Sequence, residues 1–210
     1  MLLRKNQKIV IIGDSVTDCN RRDEYTAFLG TAYPHILAAD IYLKYPDLDV
    51  KIVNVGISGD TSNALVARWR ADILDNKPDV LVILIGINDV WRYYGCGPEA
   101  DKVSCKDYIK NVRYMIESVV GTAERIIILS PFYLEQDMDK PMKIQTEQYI
   151  KALKSLVAEY GVTFVDMQKR FDDLMKKYTY DQLASKSDKV HPTTFGQVVI
   201  ADEILKVLEK

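Results

Sequence analysis

Histidine is nearly missing from this sequence: two, His35 and His191, occur in 210 residues, beside three cysteines, Cys19, Cys96 and Cys105. So few imidazoles exclude a histidine-rich metal site. An odd number of thiols without C-x-x-C spacing argues against both a disulfide framework and a thiolate-held metal. An excess of either charge is also lacking, since 28 Lys+Arg face 30 Asp+Glu for a net charge of −2. With no basic footprint to displace counterions from phosphates, nucleic acid is not an expected partner. Long apolar runs are absent as well. The longest, Val80 to Ile85, has the length of a strand and falls far short of the roughly 20 residues that span a bilayer. The apolar stretch Ile9 to Ile12 near the N-terminus is too short for a signal-peptide core and runs directly into a turn. No membrane partner is expected, and the expected location is cytoplasmic. No internal repeat, low-complexity tract or linker rich in Pro, Gly or Ser divides the chain, so residues 1–210 are expected to form a single domain.

What is present is an alternation of short β-branched runs with segments of helical spacing. The runs are Lys8 to Ile12, Val50 to Val55, Val80 to Ile85, Arg125 to Leu129 and Val162 to Val165. Helices are expected near Tyr33 to Tyr45, Thr61 to Leu74, Cys105 to Val120, Met142 to Tyr160, Met167 to Lys177 and Thr194 to Leu208. This pattern predicts an α/β fold, a parallel sheet covered by helices on both faces. In such sheets the ligand crevice lies beyond the carboxyl ends of the strands. The Gly-punctuated segments that fall there are GDSVTD from Gly13, NVGISGD from Asn54 and GINDVWR from Gly86.

Ser15 stands two residues past the first strand, where its hydroxyl and its backbone N–H can be aimed at a bound group. A serine needs a base, and histidine is the side chain best suited to that near neutral pH. His35 lies in a helix-like run and reads as a packed or surface imidazole. His191 sits in DKVHP, where Pro192, Thr193 and Thr194 turn a loop into a helix start. Asp188, three residues earlier, can turn back to accept from the ring N–H and fix the tautomer. A tetrahedral intermediate also needs donors. Gly56 offers an unobstructed backbone N–H and Asn88 a side-chain amide that does not titrate.

The set of Ser15 in GDSVTD, Gly56 in NVGISGDTS, Asn88 in GINDVWR and His191 in DKVHP resembles the SGNH hydrolases, also called GDSL-type esterases, over nearly the whole chain. The segments ARWRADI, GINDVWR, PFYLEQDMDKPM and VHP look like the intracellular acetyl-xylan esterases within that superfamily. The resemblance implies a three-layer αβα sandwich around a flavodoxin-like, five-stranded parallel sheet, with Ser15 as nucleophile. It implies Asp188 and His191 as the rest of a triad, and an oxyanion hole made by the Ser15 N–H, the Gly56 N–H and the Asn88 side chain. It further implies a small acetylated sugar as substrate, no metal or organic cofactor, and assembly as a homo-oligomer. Many members read Asp-Gly-x-His where this chain has Lys189 in the glycine position. Whether the backbone there differs, and whether a charge faces the cleft, are therefore questions for the structure.

Candidates for the substrate side are Asp14, Trp91, Arg92, Tyr133 and Val190, the tryptophan offering an apolar face to a sugar ring or a wall to the acyl pocket. Asp18, Arg21 and Arg22 read mainly as solvated loop charges. Two other readings remain open at this stage. One is a short-chain esterase or thioesterase acting on a non-carbohydrate substrate. The other is a flavodoxin-like binding module whose Ser15 and Thr17 contact a phosphate, although Asp14, Asp18 and Asp60 put negative charge where that phosphate would sit.

Overall fold

Each β-branched run becomes a strand, because branched side chains pack well on a pleated surface and these runs are long enough to cross a sheet once. The structure, a computed structural model, describes residues 3–210; Met1 and Leu2 of the expected domain lie outside the described residues. Among the described residues the strands are β1 (Lys8–Gly13), β2 (Lys51–Asn54), β3 (Val80–Leu84), β4 (Arg125–Leu129) and β5 (Thr163–Val165). They form one sheet, all parallel, in the order β2-β1-β3-β4-β5. The helices are α1 (Ser15–Asp18), α2 (Tyr33–Lys44), α3 (Ser62–Trp69), α4 (Ile87–Trp91), α5 (Cys105–Glu117), α6 (Pro141–Tyr160), α7 (Met167–Leu174), α8 (Tyr180–Leu183) and α9 (Thr194–Glu209).

The period-two alternation of a strand sorts the core into two layers. Ile9 and Ile11 of β1, Val82 and Leu84 of β3 and Ile127 of β4 pack under α2, α7 and α9, against Leu37, Phe171 and Ile204. Val10 and Ile12, Leu81 and Ile83, and Ile126 and Ile128 point the other way, against Trp69 of α3, Val112 of α5 and Leu153 of α6. The expected sandwich of helices, sheet and helices is therefore present. None of the described helices is long and apolar enough to cross a membrane.

Element limits differ from the sequence reading where local hydrogen bonding overrides periodicity. The helix expected over residues 61–74 stops at Trp69 and continues as a π-helical turn, Arg70–Leu74, closed by the Asp75 N–H on the Arg70 carbonyl at 2.9 Å. Trp69 and Ile73 stay buried while Arg70 is solvated. The helices α1, α4 and α8, four or five residues each, have no counterpart in the sequence reading, because one turn shows no 3.6-residue period.

Between β1 and β2 the chain crosses to one side of β1, and between β2 and β3 it crosses to the other. The carboxyl end of β1 is thus a topological switch point, with the loops after β2 and β3 on either flank. Ser15, Gly56 and Asn88 belong to those three loops.

Candidate active site

At the end of β1 the backbone runs so close to its neighbours that only glycine fits. A Cβ on Gly13 would collide with Thr17 Oγ1 and the Leu84 carbonyl oxygen. Asp14 then caps α1 by accepting from the Val16 N–H at 3.0 Å, and Ser15 opens that helix with its side chain half-exposed. The loop that bears His191 comes from the far end of the chain. Ser185 donates to the His191 carbonyl at 2.8 Å, and Thr193 caps α9 by accepting from the Gly196 N–H.

These two segments meet in a relay. Ser15 Oγ lies 2.9 Å from His191 Nε2, and His191 Nδ1 lies 2.9 Å from Asp188 Oδ2. The other carboxylate oxygen of Asp188 accepts from the Val190 and His191 N–H groups at 2.8 and 3.0 Å. Burial alone would raise the Asp188 carboxyl, but the ring and backbone donors outweigh it and hold the group below its ordinary value. Asp188 is therefore an anion that fixes the imidazole with Nε2 free to accept from the serine. This arrangement can take a proton from Ser15 and return it to a leaving group.

At the start of α4, after β3, Asn88 Nδ2 donates one hydrogen to the Asp60 carbonyl at 2.9 Å, which leaves its second amide hydrogen for another acceptor. The Gly56 N–H is already engaged, donating to Asn54 Oδ1 at 2.9 Å. Asn54 in turn donates to the Thr17 and Leu29 carbonyls at 2.8 Å each, so the nucleophile-side loop and the Gly56 loop share one buried amide.

Asn88-Asp89 serves two ends at once. Asp89, fully buried, accepts from the Ser62 N–H and hydroxyl and so holds the first turn of α3, while Asn88 holds the Asp60 carbonyl. Burial pushes Asp89 up to about 6 against the Ser62 bonds that pull it down.

The remaining candidates divide. The Trp91 ring lies 5.9 Å from that of His191, tilted by 52°, and Tyr133 is half-buried on the loop after β4. Asp14, Arg92 and Val190 are buried and do not present free side chains. The Arg92 guanidinium donates to the Cys96 and Gly59 carbonyls at 2.6 Å each, which makes it a brace for the loop after α4. Thr17 is buried and its hydroxyl pairs with that of Tyr33 at 2.8 Å, which removes it as a phosphate contact. Asp18 accepts from the Ser58 N–H at 2.9 Å and Arg21 donates to the Gly56 carbonyl; both hold the Gly56 loop, while Arg22 is exposed. His35 is half-buried on α2 against the Gly30 carbonyl. Lys189 adopts φ +58°, so the backbone keeps the glycine-type turn, and its ammonium is paired with Glu135 at 2.7 Å.

Arg68 was not singled out by its sequence pattern, and it is the most connected side chain here. Its guanidinium donates to the Val55 carbonyl at 2.7 Å, to the Gly13 carbonyl at 3.3 Å and to Asp60 Oδ2 at 2.7 Å, and pairs with Asp72. The sequence signals that mark it are its place in the ARWRADI segment and Asp72 four residues on. Among the described residues no group of three or more His, Cys, Asp or Glu is gathered as a metal site requires.

Comparison with known proteins places these features in context. Residues 11–199 match the GDSL-like lipase/acylhydrolase family. The chain is 35% identical over 211 aligned positions to an acetylxylan esterase from Geobacillus stearothermophilus, covering 98% of this chain and 95% of that one. The crystal structure of Axe2, an acetylxylan esterase from the same organism, superposes with a TM-score of 0.91 at 32% identity, covering 100% of this chain and 97% of the other. Variants of Axe2 with a serine, an aspartate or a histidine replaced by alanine are described as catalytic mutants. LAE5, an alpha/beta hydrolase enzyme from the metagenome of Lake Arreo in Spain, superposes with a TM-score of 0.91 at 31% identity, covering 100% and 98% of the two chains.

Proposed function

Since the chain belongs to the GDSL-like lipase/acylhydrolase family and is a carboxylic ester hydrolase, we propose that it removes acetyl groups from O-acetylated xylo-oligosaccharides through an acetyl-serine intermediate on Ser15. The observation that carries this reading is the unbroken relay from Ser15 Oγ through His191 to Asp188, with 2.9 Å at each step.

Ser15 Oγ attacks the acetyl carbonyl carbon as its proton passes to His191 Nε2, and Asp188 stabilises the imidazolium. The C=O pair moves onto oxygen, facing the free hydrogen of the Asn88 amide and the Ser15 N–H. The Gly56 N–H adds to these by sharing the hydrogen it gives to Asn54. Collapse breaks the bond to the sugar oxygen, which leaves with the proton from His191. Water, deprotonated by His191, then cleaves acetyl-Ser15 by the same two steps and releases acetate. Trp91 beside the imidazole narrows the space for the acyl chain, which supports a short acyl group, and its half-exposed face suits a sugar ring. Half-buried Tyr133 is a further wall of the cleft, whereas the buried Asp14, Arg92 and Val190 support the loops around it and do not touch the sugar. Action in the cytoplasm suits small soluble oligosaccharides, and assembly as a homo-oligomer completes the reading.

The test is acetate release from acetylated xylo-oligosaccharides, run beside p-nitrophenyl acetate and butyrate, for wild type and Ser15→Ala. Release from the sugar that disappears in the alanine variant is expected. Ser15-dependent cleavage of the aryl esters alone would keep the relay and discard the sugar. Undiminished turnover by Ser15→Ala would discard the relay.

A further inference from the structure

The turn between Asp188 and His191 is held in a conformation its own sequence does not favour. Lys189 sits at φ +58°, where a side chain with a Cβ is disfavoured and glycine is the default. Yet the turn must be this one, because it brings the Val190 and His191 N–H groups onto a single oxygen of Asp188 while the other oxygen faces the imidazole.

Something outside the turn must hold it, and the loop after β4 does so at two points. The Leu134 N–H donates to the Lys189 carbonyl at 2.9 Å, and Glu135 Oε2 pairs with Lys189 Nζ at 2.7 Å. The Lys189 N–H on the Ser185 carbonyl at 2.9 Å closes the turn on its own side, and the two bonds from the loop after β4 fix the other side. The carboxylate is itself set in place. It is almost buried, and Glu135 Oε1 accepts from the Gln136 and Asp137 N–H groups at 2.9 and 3.1 Å. The lysine stem is confined as well, since its ammonium lies 4.8 Å from the centre of the Tyr180 ring. Exposed ion pairs usually contribute little, because two mobile side chains must be ordered to form them. Here both partners are ordered by other contacts.

The loop that carries Glu135 is anchored in turn. The Tyr133 N–H donates to Gln168 Oε1 at 2.8 Å, and the fully buried Lys143, paired with Glu147 at 3.0 Å, reaches the Tyr133 carbonyl at 3.4 Å. A path of fixed contacts thus runs from α6 and α7 through residues 133–135 to the backbone of Lys189.

We propose that Glu135 and Lys189 form a positioning latch that keeps the Asp188–His191 turn in register with Ser15. Neither residue touches the reacting atoms, and the inference rests on the relay assigned above. A charge at the position where a glycine was expected is therefore built into the scaffold of the site.

The test compares wild type with Glu135→Gln, Lys189→Met, the double variant Glu135→Gln/Lys189→Met, and Lys189→Arg, which keeps the cation opposite Glu135 and over the Tyr180 ring. On p-nitrophenyl acetate, Glu135→Gln and Lys189→Met are each expected to lose roughly tenfold to a hundredfold in kcat with KM changed less than about twofold, as for a small misplacement of reacting groups. The neutral double variant removes both charges together and is expected to be as slow as these singles, whereas a purely electrostatic role would restore its rate. Lys189→Arg is expected to keep most of kcat. A second readout does not need turnover. The downfield imidazole N–H signal of the Asp188–His191 bond, assigned with His35→Gln, is expected to be sharp in wild type and Lys189→Arg and broadened or lost in the others. Wild-type kcat and an unchanged signal in Glu135→Gln and Lys189→Met would overturn the latch, as would a Lys189→Arg variant no better than Lys189→Met. If the wild-type enzyme proves indifferent to Ser15→Ala, the relay fails as chemistry, and the imidazole signal still decides whether the latch holds the turn.

Discussion

Arg68 donates to the Val55 carbonyl at 2.7 Å, and the same guanidinium holds the Gly13 carbonyl and the Asp60 carboxylate. Val55 precedes Gly56, Gly13 lies two residues before Ser15, and the Asp60 carbonyl holds Asn88. One planar fork therefore ties the end of β1 to the loop after β2, and that loop in turn holds Asn88 through the Asp60 carbonyl.

Arg68→Lys keeps the charge and loses the fork, since an ammonium on a shorter reach cannot serve three acceptors in one plane. The expected outcome is a fall of about 10- to 100-fold in kcat with a smaller change in KM, together with a lower Tm. Steady-state kinetics and thermal unfolding on the same preparation check it. A variant that loses stability yet keeps wild-type kcat would show that the loops hold their spacing without the fork.

The difference between Arg68 and Ser15 shows what the sequence makes legible. The contacts of Ser15, His191 and Asp188 were readable because Ser15 follows a strand, a chain with two histidines leaves few choices of base, and Asp188 lies three residues before His191. The sheet was readable because its central strand β3 is fully buried and β1 and β4 are buried beyond their first residue, hence apolar runs, while β-branched residues mark the less buried edge strands β2 and β5. The link Arg68 makes between β1 and the Gly56 loop was hidden because it runs to the Val55 and Gly13 carbonyls, and a carbonyl leaves no mark on sequence. The same holds for Asn54, whose amide joins Thr17, Leu29 and Gly56. Lys189 was visible as a departure, but only the fold shows Glu135 waiting for it, 54 positions away.

Asn88 offers a direct measure of its amide. One hydrogen is held by Asp60, so the other is preset and costs no reorganisation when charge develops on a carbonyl oxygen. Asn88→Ala is expected to lower kcat by roughly 10²- to 10³-fold, equivalent to about 3–4 kcal/mol, with little change in KM. A fall confined to KM would place the amide on the ground-state substrate instead.

Cys19 lies close to the serine, with Sγ 3.3 Å from the Ser15 carbonyl oxygen. Burial, aided by the charges of Asp18 and Asp14, pushes its thiol up to about 11, so the reactive thiolate is scarce at neutral pH. Iodoacetamide at pH 7.5 is expected to leave activity intact, with Cys19 unmodified by mass spectrometry. Rapid alkylation of Cys19 with parallel inactivation would contradict this.

Asp14 sets stability against catalysis. It is fully buried, and burial pushes its carboxyl up to about 7, outweighing the Val16 N–H and the attraction of His191 that favour the anion. A folded-state value above the unfolded one means that the folded protein holds more protons between about pH 4 and 7. The associated stability is fully present below pH 4, is lost progressively as pH rises through 7, and is absent above it. Asp14→Asn keeps an oxygen for the Val16 N–H and cannot ionise. It is therefore expected to exceed wild type by about 2–4 kcal/mol at pH 8 in urea unfolding, with the difference shrinking toward zero near pH 4. Asp89, raised to about 6 by burial, titrates with the same sign in both proteins, and its charge is one of those that raise Asp14. Activity is expected to move the other way. Above pH 7 the Asp14 anion attracts the His191 imidazolium that forms in each transition state, and the asparagine removes that attraction, so kcat at pH 8 should fall as stability rises. A stability gain of equal size at every pH would mean that Asp14 is not the titrating group.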